Sequence, residues 1–175
     1  MISGRNQRQE GAAALEFALV VVIFTTLLTA ITEFGRFLYV WNTVQEVTRS
    51  AARAAVVRPF TAAAVDAIQR EAVFHGGESG AVSLPGGQQI TSTRVNIRYL
   101  NASLSEADPL PSNPYDNVAA CLSEDRADSC VRFVEARVCD AGNRGCAPVE
   151  FETLFGVSVY VPVSTVIMPA ESLGM

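Results

Sequence analysis

The sequence predicts an α+β fold in which one long N-terminal helix packs on a small antiparallel sheet. Two patterns indicate the helix: an apolar run over residues 12–32, and apolar side chains that continue at three- and four-residue steps to Arg58. A third pattern indicates the sheet, because later segments alternate apolar with polar side chains. These segments are residues 94–100, 131–139 and 157–164.

The apolar run is long enough to cross a lipid bilayer. At roughly 1.5 Å per residue it rises about 31 Å as a helix, the thickness of a bilayer core. Arg5 and Arg8 precede it, and such a distribution keeps an N-terminus in the cytoplasm. The predicted domains are a cytoplasmic leader (1–11), the transmembrane part of the helix (12–36), its periplasmic continuation (37–58) and a small periplasmic α+β domain (59–175).

Proline and glycine mark the remaining boundaries. Pro59 is expected to end the long helix, because the residue before a proline disfavours helical geometry. A second helix is expected over residues 61–75, ending at the glycine pair that follows His75. Residues 76–89 and 106–117 are expected to be loops. Pro162 is expected either to place the last strand at an edge of the sheet or to break it.

Four cysteines predict disulfides in an oxidising compartment, since their even number is confined to the C-terminal third of the chain. They are Cys121, Cys130, Cys139 and Cys146. A strand between Cys130 and Cys139 would hold these two about 30 Å apart and exclude their bond. Of the two connectivities left open, Cys121–Cys130 with Cys139–Cys146 is preferred, because each bond closes a short polar loop. Zinc is disfavoured, since no two cysteines lie two to four positions apart.

The composition argues against several classes of function. A net charge of −5 provides no basic surface for nucleic acid. The single histidine, His75, lies at a predicted helix end beside glycines, where capping or exposure is commoner than general-base catalysis. No catalytic motif, phosphate-binding loop or metal-binding spacing is present, so we expect no enzyme, no cofactor and no metal site.

Glu16 distinguishes three hypotheses for the apolar run. A cleaved signal peptide should end in a small-x-small site, and the best match, Leu28-Thr29-Ala30, is poor. A plain membrane anchor gives no reason for a carboxylate that costs a few kcal/mol inside a membrane. The third hypothesis explains it, because the string from Gly11 to Phe17 resembles a prepilin processing site. Cleavage between Gly11 and Ala12 would place Glu16 fifth in the mature chain.

Residues 10–57 closely resemble the TadE-like family, the minor pilins of the tight-adherence (Flp, type IVc) pilus system. The family pattern is a G-A-x-x-x-E-F processing site, an apolar run, E-F-G-R, an aromatic stretch and an alanine- and arginine-rich helical tail. Here these parts are Gly11–Phe17, Glu33–Arg36, the aromatic residues up to Trp41, and residues 51–55. One departure is Val21-Val22-Ile23, where the family often has a proline. TadF-like minor pilins share this N-terminal design.

The resemblance implies a pilin-like fold and a minor pilin or pseudopilin, processed by a prepilin peptidase and needed for pilus assembly. It implies a single-pass inner-membrane protein with a periplasmic C-terminal domain, which stays at the pilus base or enters the fibre. Implied partners are the peptidase, an inner-membrane platform, an assembly ATPase, major and minor pilins, and membrane lipid. The alternatives are an unprocessed, membrane-anchored binding or adhesion module and a tethered periplasmic enzyme.

Overall fold

A computed structural model describes residues 4–77, 79–142 and 145–174, with side chains from residue 11 onward except at 141 and 142. The fold is α+β, as the sequence predicts: a long apolar N-terminal helix is followed by small antiparallel sheets. The chain forms two compact units, residues 1–38 and residues 39–175. Each unit is described separately below.

Helix α1 (Gly4–Val57) begins before the predicted start at Ala12 and ends two residues before Pro59. In the first unit its apolar side chains are exposed. In the second unit it is amphipathic, and one stripe is buried at the predicted three- and four-residue steps. The stripe contains Val40, Val44, Val47, Ala51 and Ala55.

The C-terminal end of α1 is capped by hydrogen bonds from residues more than a hundred positions further along the chain. The backbone N–H groups of Glu171 and Leu173 donate to the carbonyl of Val56, at 3.3 and 3.1 Å. The Ser172 hydroxyl donates to the carbonyl of Val57 at 3.3 Å. The last carbonyls of a helix have no hydrogen-bond partner within the helix. These bonds supply donors to the carbonyls of Val56 and Val57, which would otherwise bond to water.

Helix α2 (Ala62–Ala72) begins after Thr61, whose hydroxyl accepts a hydrogen bond from the N–H of Ala64. It buries Ile68 and Ala72. The expected end at the glycine pair after His75 is wrong by a few residues. Phe74 takes the left-handed conformation at φ 67°, and its N–H donates to the carbonyl of Glu71, so the helix is terminated without a glycine.

The principal sheet has three antiparallel strands, and the strands within the described residues fall into four sheets. The strands are β1 (Ser83–Leu84), β2 (Gly87–Thr91), β3 (Val95–Leu100), β4 (Phe133–Val138), β5 (Asp140–Gly142), β6 (Gly145–Ala147), β7 (Val149–Glu152), β8 (Ser158–Val161) and β9 (Ser164–Pro169). The principal sheet has the order β3-β4-β9, and β1-β2, β5-β6 and β7-β8 are two-stranded. One register row of the principal sheet is Ile97, Ala136 and Val166.

The structure confirms two of the three predicted strands and corrects the third. β3 and β4 lie within their predicted segments. The segment 157–164 is not one strand, because β8 ends before Pro162 and the chain then joins the principal sheet as β9. The two predicted loops are also partly wrong: residues 76–89 contain most of the β1-β2 hairpin, and helix α3 (Pro114–Leu122) begins inside residues 106–117.

Glu135 is a buried carboxylate on the face of β4 opposite its apolar row. Its side chain is 3% exposed and accepts hydrogen bonds from Arg98 at 3.4 Å and from Arg137 at 2.5 Å. Arg98 also pairs with Glu106 at 3.2 Å. A buried charge is tolerated when it is paired and hydrogen-bonded, so these arginines compensate the buried charge of Glu135.

Tyr99 lies in the core of the second unit, and substituting it tests what its buried hydroxyl contributes to the free energy of unfolding. Its ring meets Phe60 edge-to-face at 5.6 Å, while its buried hydroxyl has no hydrogen-bond partner among the described residues. Desolvation raises the pKa of Tyr99 from 10.0 to about 12. We expect Tyr99→Phe to raise the free energy of unfolding by up to ~1 kcal/mol, since an unpaired buried hydroxyl is removed. Chemical denaturation in detergent measures this.

Tyr99→Phe should also change how the free energy of unfolding depends on pH. Because the folded pKa is raised, the unfolded chain loses the Tyr99 proton first, and stability falls as the pH rises from about 10 to about 12. Tyr99→Phe removes this part of the alkaline slope. Tyr160→Phe, at an exposed position, is the control and should leave both quantities unchanged. A Tyr99→Phe protein that loses 1 kcal/mol or more, on the order of one hydrogen bond, would contradict the assignment.

Candidate membrane-anchoring and assembly site

The first unit exposes a long apolar surface. All described side chains from Gly11 to Leu28 are exposed, including large ones such as Phe17, which is 71% exposed. Burying apolar surface gains roughly 25 cal/mol per Å², so a surface of this size requires a lipid or protein environment. Among the described residues, one helix is long and apolar enough to cross a membrane, and it is compatible with a single-pass anchor.

Threonine hydroxyls within this surface are satisfied by the helix itself. Thr25 donates to the carbonyl of Val21 at 2.8 Å, and Thr26 donates to the carbonyl of Val22 at 2.7 Å. Thr29 makes the same kind of bond four residues back, at 2.8 Å. A hydroxyl that bonds within its own helix avoids most of the cost of an unpaired polar group in an apolar medium. The threonines therefore do not oppose membrane insertion, a point that apolar periodicity alone does not reveal.

Gly11, Ala12 and Glu16 all lie on α1, and their side-chain positions are exposed. Glu16 is five residues beyond Gly11, which is a rise of about 7.5 Å. No Lys or Arg among the residues with described side chains lies within ion-pair distance of Glu16. A methyl group added at Gly11 would meet no atom within 4 Å. Met1–Ser3 and the side chains of Arg5 and Arg8 lie outside the described residues.

Glu33 and Arg36 form an ion pair where the apolar run ends. Their closest atoms, Arg36 Nη1 and Glu33 Oε1, are 2.9 Å apart, and the Glu33 side chain is largely buried. A glutamate and an arginine three positions apart lie on the same face of a helix. The sequence shows these residues within E-F-G-R, and their spacing would have predicted the pair. The pair neutralises the acidic charge at this end of the span.

A groove of about 310 Å³ lies in the second unit between α1 and the N-terminal end of β9. Trp41, Gln45 and Arg49 line one side, and Pro162–Val166 line the other. The Trp41 ring is therefore partly covered by protein and partly exposed. The N-terminal end of β9 therefore lies beside residues 41–49 of α1.

The structure contains disulfides between Cys121 and Cys130 and between Cys139 and Cys146. Their Cα atoms are 4.8 and 5.3 Å apart. The first bond links the end of α3 to the chain before β4, and the second lies at the β5-β6 hairpin. No group of three or more His, Cys, Asp or Glu residues in the described part of the chain is placed to hold a metal ion. His75 lies outside any such group.

The N-terminal part of the chain is similar to a known protein family. Residues 11–53 match the family model described as TadE-like protein. No curated protein and no solved structure matches this chain. The matched region contains Gly11, Glu16, the apolar surface and the Glu33–Arg36 pair, and it ends within the amphipathic part of α1. By this match, the N-terminal segment of the chain is similar to the TadE-like family, as the sequence resemblance predicts.

Proposed function

We propose that this chain is a minor pilin of a tight-adherence pilus, cut between Gly11 and Ala12 by a prepilin peptidase and required for pilus assembly. The family match supports a minor-pilin-like role associated with this pilus system, in a structural family without enzymatic activity. The match does not test cleavage of this chain by a peptidase or its requirement for pilus assembly, and these two points are what we propose.

The position of Glu16 is the observation that carries the proposal. An exposed carboxylate in an apolar span costs roughly 2.5–3.5 kcal/mol on insertion scales and is usually paired or functional. Cleavage after Gly11 would create a positively charged amine at Ala12. The amine of one subunit and the Glu16 carboxylate of its neighbour would neutralise each other, which fixes the axial register of packed helices.

The proposal includes a topology and a set of partners. Residues 1–11 form a cytoplasmic leader, residues 12–36 cross the inner membrane, and the rest of the chain is periplasmic. The exposed apolar surface of α1 contacts lipid before assembly and neighbouring pilin helices after it. The partners are the prepilin peptidase, the inner-membrane platform with its ATPase, and the major and minor pilins.

The direct test is the N-terminal residue and intact mass of the membrane-extracted protein, from strains with and without the prepilin peptidase. We expect the chain to start at Ala12 only where the peptidase is present. A start at Met1 in both strains would refute processing and favour the plain-anchor alternative. A start beyond Ala30 would mean a cleaved signal peptide and would remove the membrane anchor as well.

Gly11→Ala tests recognition of the cleavage site. Because a methyl group at Gly11 meets no neighbouring atom, the variant should fold and insert normally but remain unprocessed. Gly35→Ala is the matched control, since a methyl group there also has open space, and this variant should be processed fully. Intact mass distinguishes the two products. Complete processing of Gly11→Ala would contradict cleavage directed by this glycine.

A further inference from the structure

Strand β9 forms one edge of the principal sheet, and its outward main-chain groups are open. The Ala170 N–H donates to the Arg132 carbonyl at 2.9 Å, which fixes the phase of the hydrogen bonds between β9 and β4. In an antiparallel pair, bonded and non-bonded residues alternate, so the N–H and C=O groups of Thr165 and Ile167 point away from β4. Among the residues that the structure describes, no hydrogen bond reaches these outward groups.

Strand β9 has few of the features that protect an exposed sheet edge. Natural edge strands are usually short or bulged, carry charged side chains, or are covered by another element. Strand β9 carries no charge, and its register with β4 continues without a shift from Ser164 to Pro169. Pro169 ends the strand at a position where the missing N–H would point outward, so it leaves the middle of the edge free for pairing.

The opposite edge of the same sheet, strand β3, is covered by the chain itself. The side-chain amide of Gln69 donates to the carbonyl of Val95 at 2.7 Å. The N–H of Ala107 donates to the carbonyl of Tyr99 at 2.9 Å. Both carbonyls belong to residues of β3 that point away from β4, because hydrogen bonding to β4 alternates along the strand. The principal sheet therefore has one covered edge and one open edge.

The groove of about 310 Å³ between α1 and the N-terminal end of β9 adjoins this open edge. Trp41 and Val44 of α1 and Val166 of β9 are among the residues that line it. Val166 is half-buried, whereas its neighbour Ala136 on β4 is fully buried, so the inner face of the sheet opens to the groove at β9. Proteins that bind an extended peptide by strand addition combine these two features, because main-chain hydrogen bonds give affinity and pockets for alternate side chains give specificity.

We propose that β9 is a docking edge, to which an extended segment of a partner protein adds as a further strand of the principal sheet. The main chain of the segment pairs with Thr165 and Ile167, and every second side chain of the segment enters the groove. All the residues that form this edge and groove lie within the second unit. The proposal therefore goes beyond the pilin role and does not depend on cleavage or on pilus assembly.

The charge of the groove indicates which side chains the partner segment carries. Arg49 lines the groove with a side chain that is 54% exposed, and its contact with Glu46 is 3.9 Å long. A carboxylate in the added strand would therefore meet an exposed guanidinium, while apolar side chains would contact Trp41 and Val166. Strand β9 has no carboxylate of its own, so charge complementarity favours an apolar segment with an acidic residue, from another protein, over a second copy of β9.

A fluorescein-labelled peptide of alternating valine and threonine, with a glutamate at each end, is the probe. Fluorescence anisotropy measures its binding to the full chain in detergent micelles. Ile167→Pro removes an outward N–H without removing a bond to β4, and Ile167→Val is the matched control that keeps this donor. We expect saturable binding to the unmodified protein and to Ile167→Val. Binding to Ile167→Pro should be about tenfold weaker, because a carbonyl of the probe is left unpaired. Circular dichroism checks that each variant is folded.

Arg49→Gln tests the charge of the groove, and Arg53→Gln is its control, because Arg53 is exposed on the same helix and does not line the groove. Only Arg49→Gln should weaken binding, by about threefold. Amide hydrogen exchange in the unmodified protein needs no variant, and the probe should slow exchange at Thr165 and Ile167. Absence of saturable binding, unchanged exchange, or equal binding by Ile167→Pro would overturn the proposal. A dimer that sedimentation detects without the probe, and that Ile167→Pro dissociates, would overturn it in favour of pairing between two copies.

Discussion

Glu16→Ala should abolish tight-adherence pili while leaving the protein inserted in the membrane and processed at Ala12. The variant removes the carboxylate that we propose to pair with the N-terminal amine of a neighbouring subunit. It also removes the cost of a charge in the apolar span, so insertion itself should not suffer. Electron microscopy of surface filaments, with immunoblots of membrane fractions and intact mass, separates loss of assembly from loss of protein.

Two controls make the Glu16 result specific. Glu16→Asp keeps the charge and should retain part of the assembly. Glu46→Ala removes an exposed glutamate from the periplasmic part of the same helix, where its contact with Arg49 is 3.9 Å long, and it should assemble normally. Normal filaments in Glu16→Ala cells would refute the assembly role and favour an anchored protein that acts outside the pilus.

Phe151→Ala should destabilise the second unit by about 3–5 kcal/mol, the usual cost of truncating a fully buried phenylalanine. Phe151 is 0% exposed and is the largest fully buried side chain among the described residues. It lies on β7, so its loss leaves a cavity under the β7-β8 hairpin. Chemical denaturation of the full chain in detergent, followed by circular dichroism, measures the change.

Phe155→Ala is the matched control for Phe151→Ala, because it removes the same side chain from the exposed end of the same hairpin. In detergent its stability should lie within about 0.5 kcal/mol of the unmodified protein, as for most surface substitutions. Equal destabilisation by the two variants would contradict the burial that the structure assigns to Phe151.

The long helix and strands β3 and β4 were predictable because their patterns are dictated by burial. A continuous apolar run followed by a three- and four-residue stripe leaves few alternatives to a helix that changes environment along its length. Strands β3 and β4 alternate because their side chains point to opposite faces of the sheet. Glu135 fits this alternation, yet its burial depends on Arg98 across the sheet, which no local pattern reveals.

The elements that sequence reasoning missed have weak local signals. Strand β2, GQQIT, contains one large apolar residue and two glutamines, and it follows a turn rich in glycine and proline. Helix α3 follows several prolines, but Asn113 caps it by accepting from the N–H of Asp116, and Pro114 is its first residue. An asparagine followed by proline at a helix start is a recognised signal, and it was outweighed here by the loop-like composition around it.

The closure of helix α1 by residues 171–173 has a consequence for export. In the topology that we propose, the N-terminus stays in the cytoplasm and the chain after residue 36 is exported in order of synthesis, so the end of the helix would reach the periplasm before β9 and the residues that bond Val56. Until then, the stripe at Val40, Val44 and Val47 has no sheet to cover it, and the last carbonyls of the helix are open to water. Under this proposal the domain can complete its fold only after residues 164–173 have been exported, and a product truncated before β9 would expose this stripe to periplasmic chaperones and proteases.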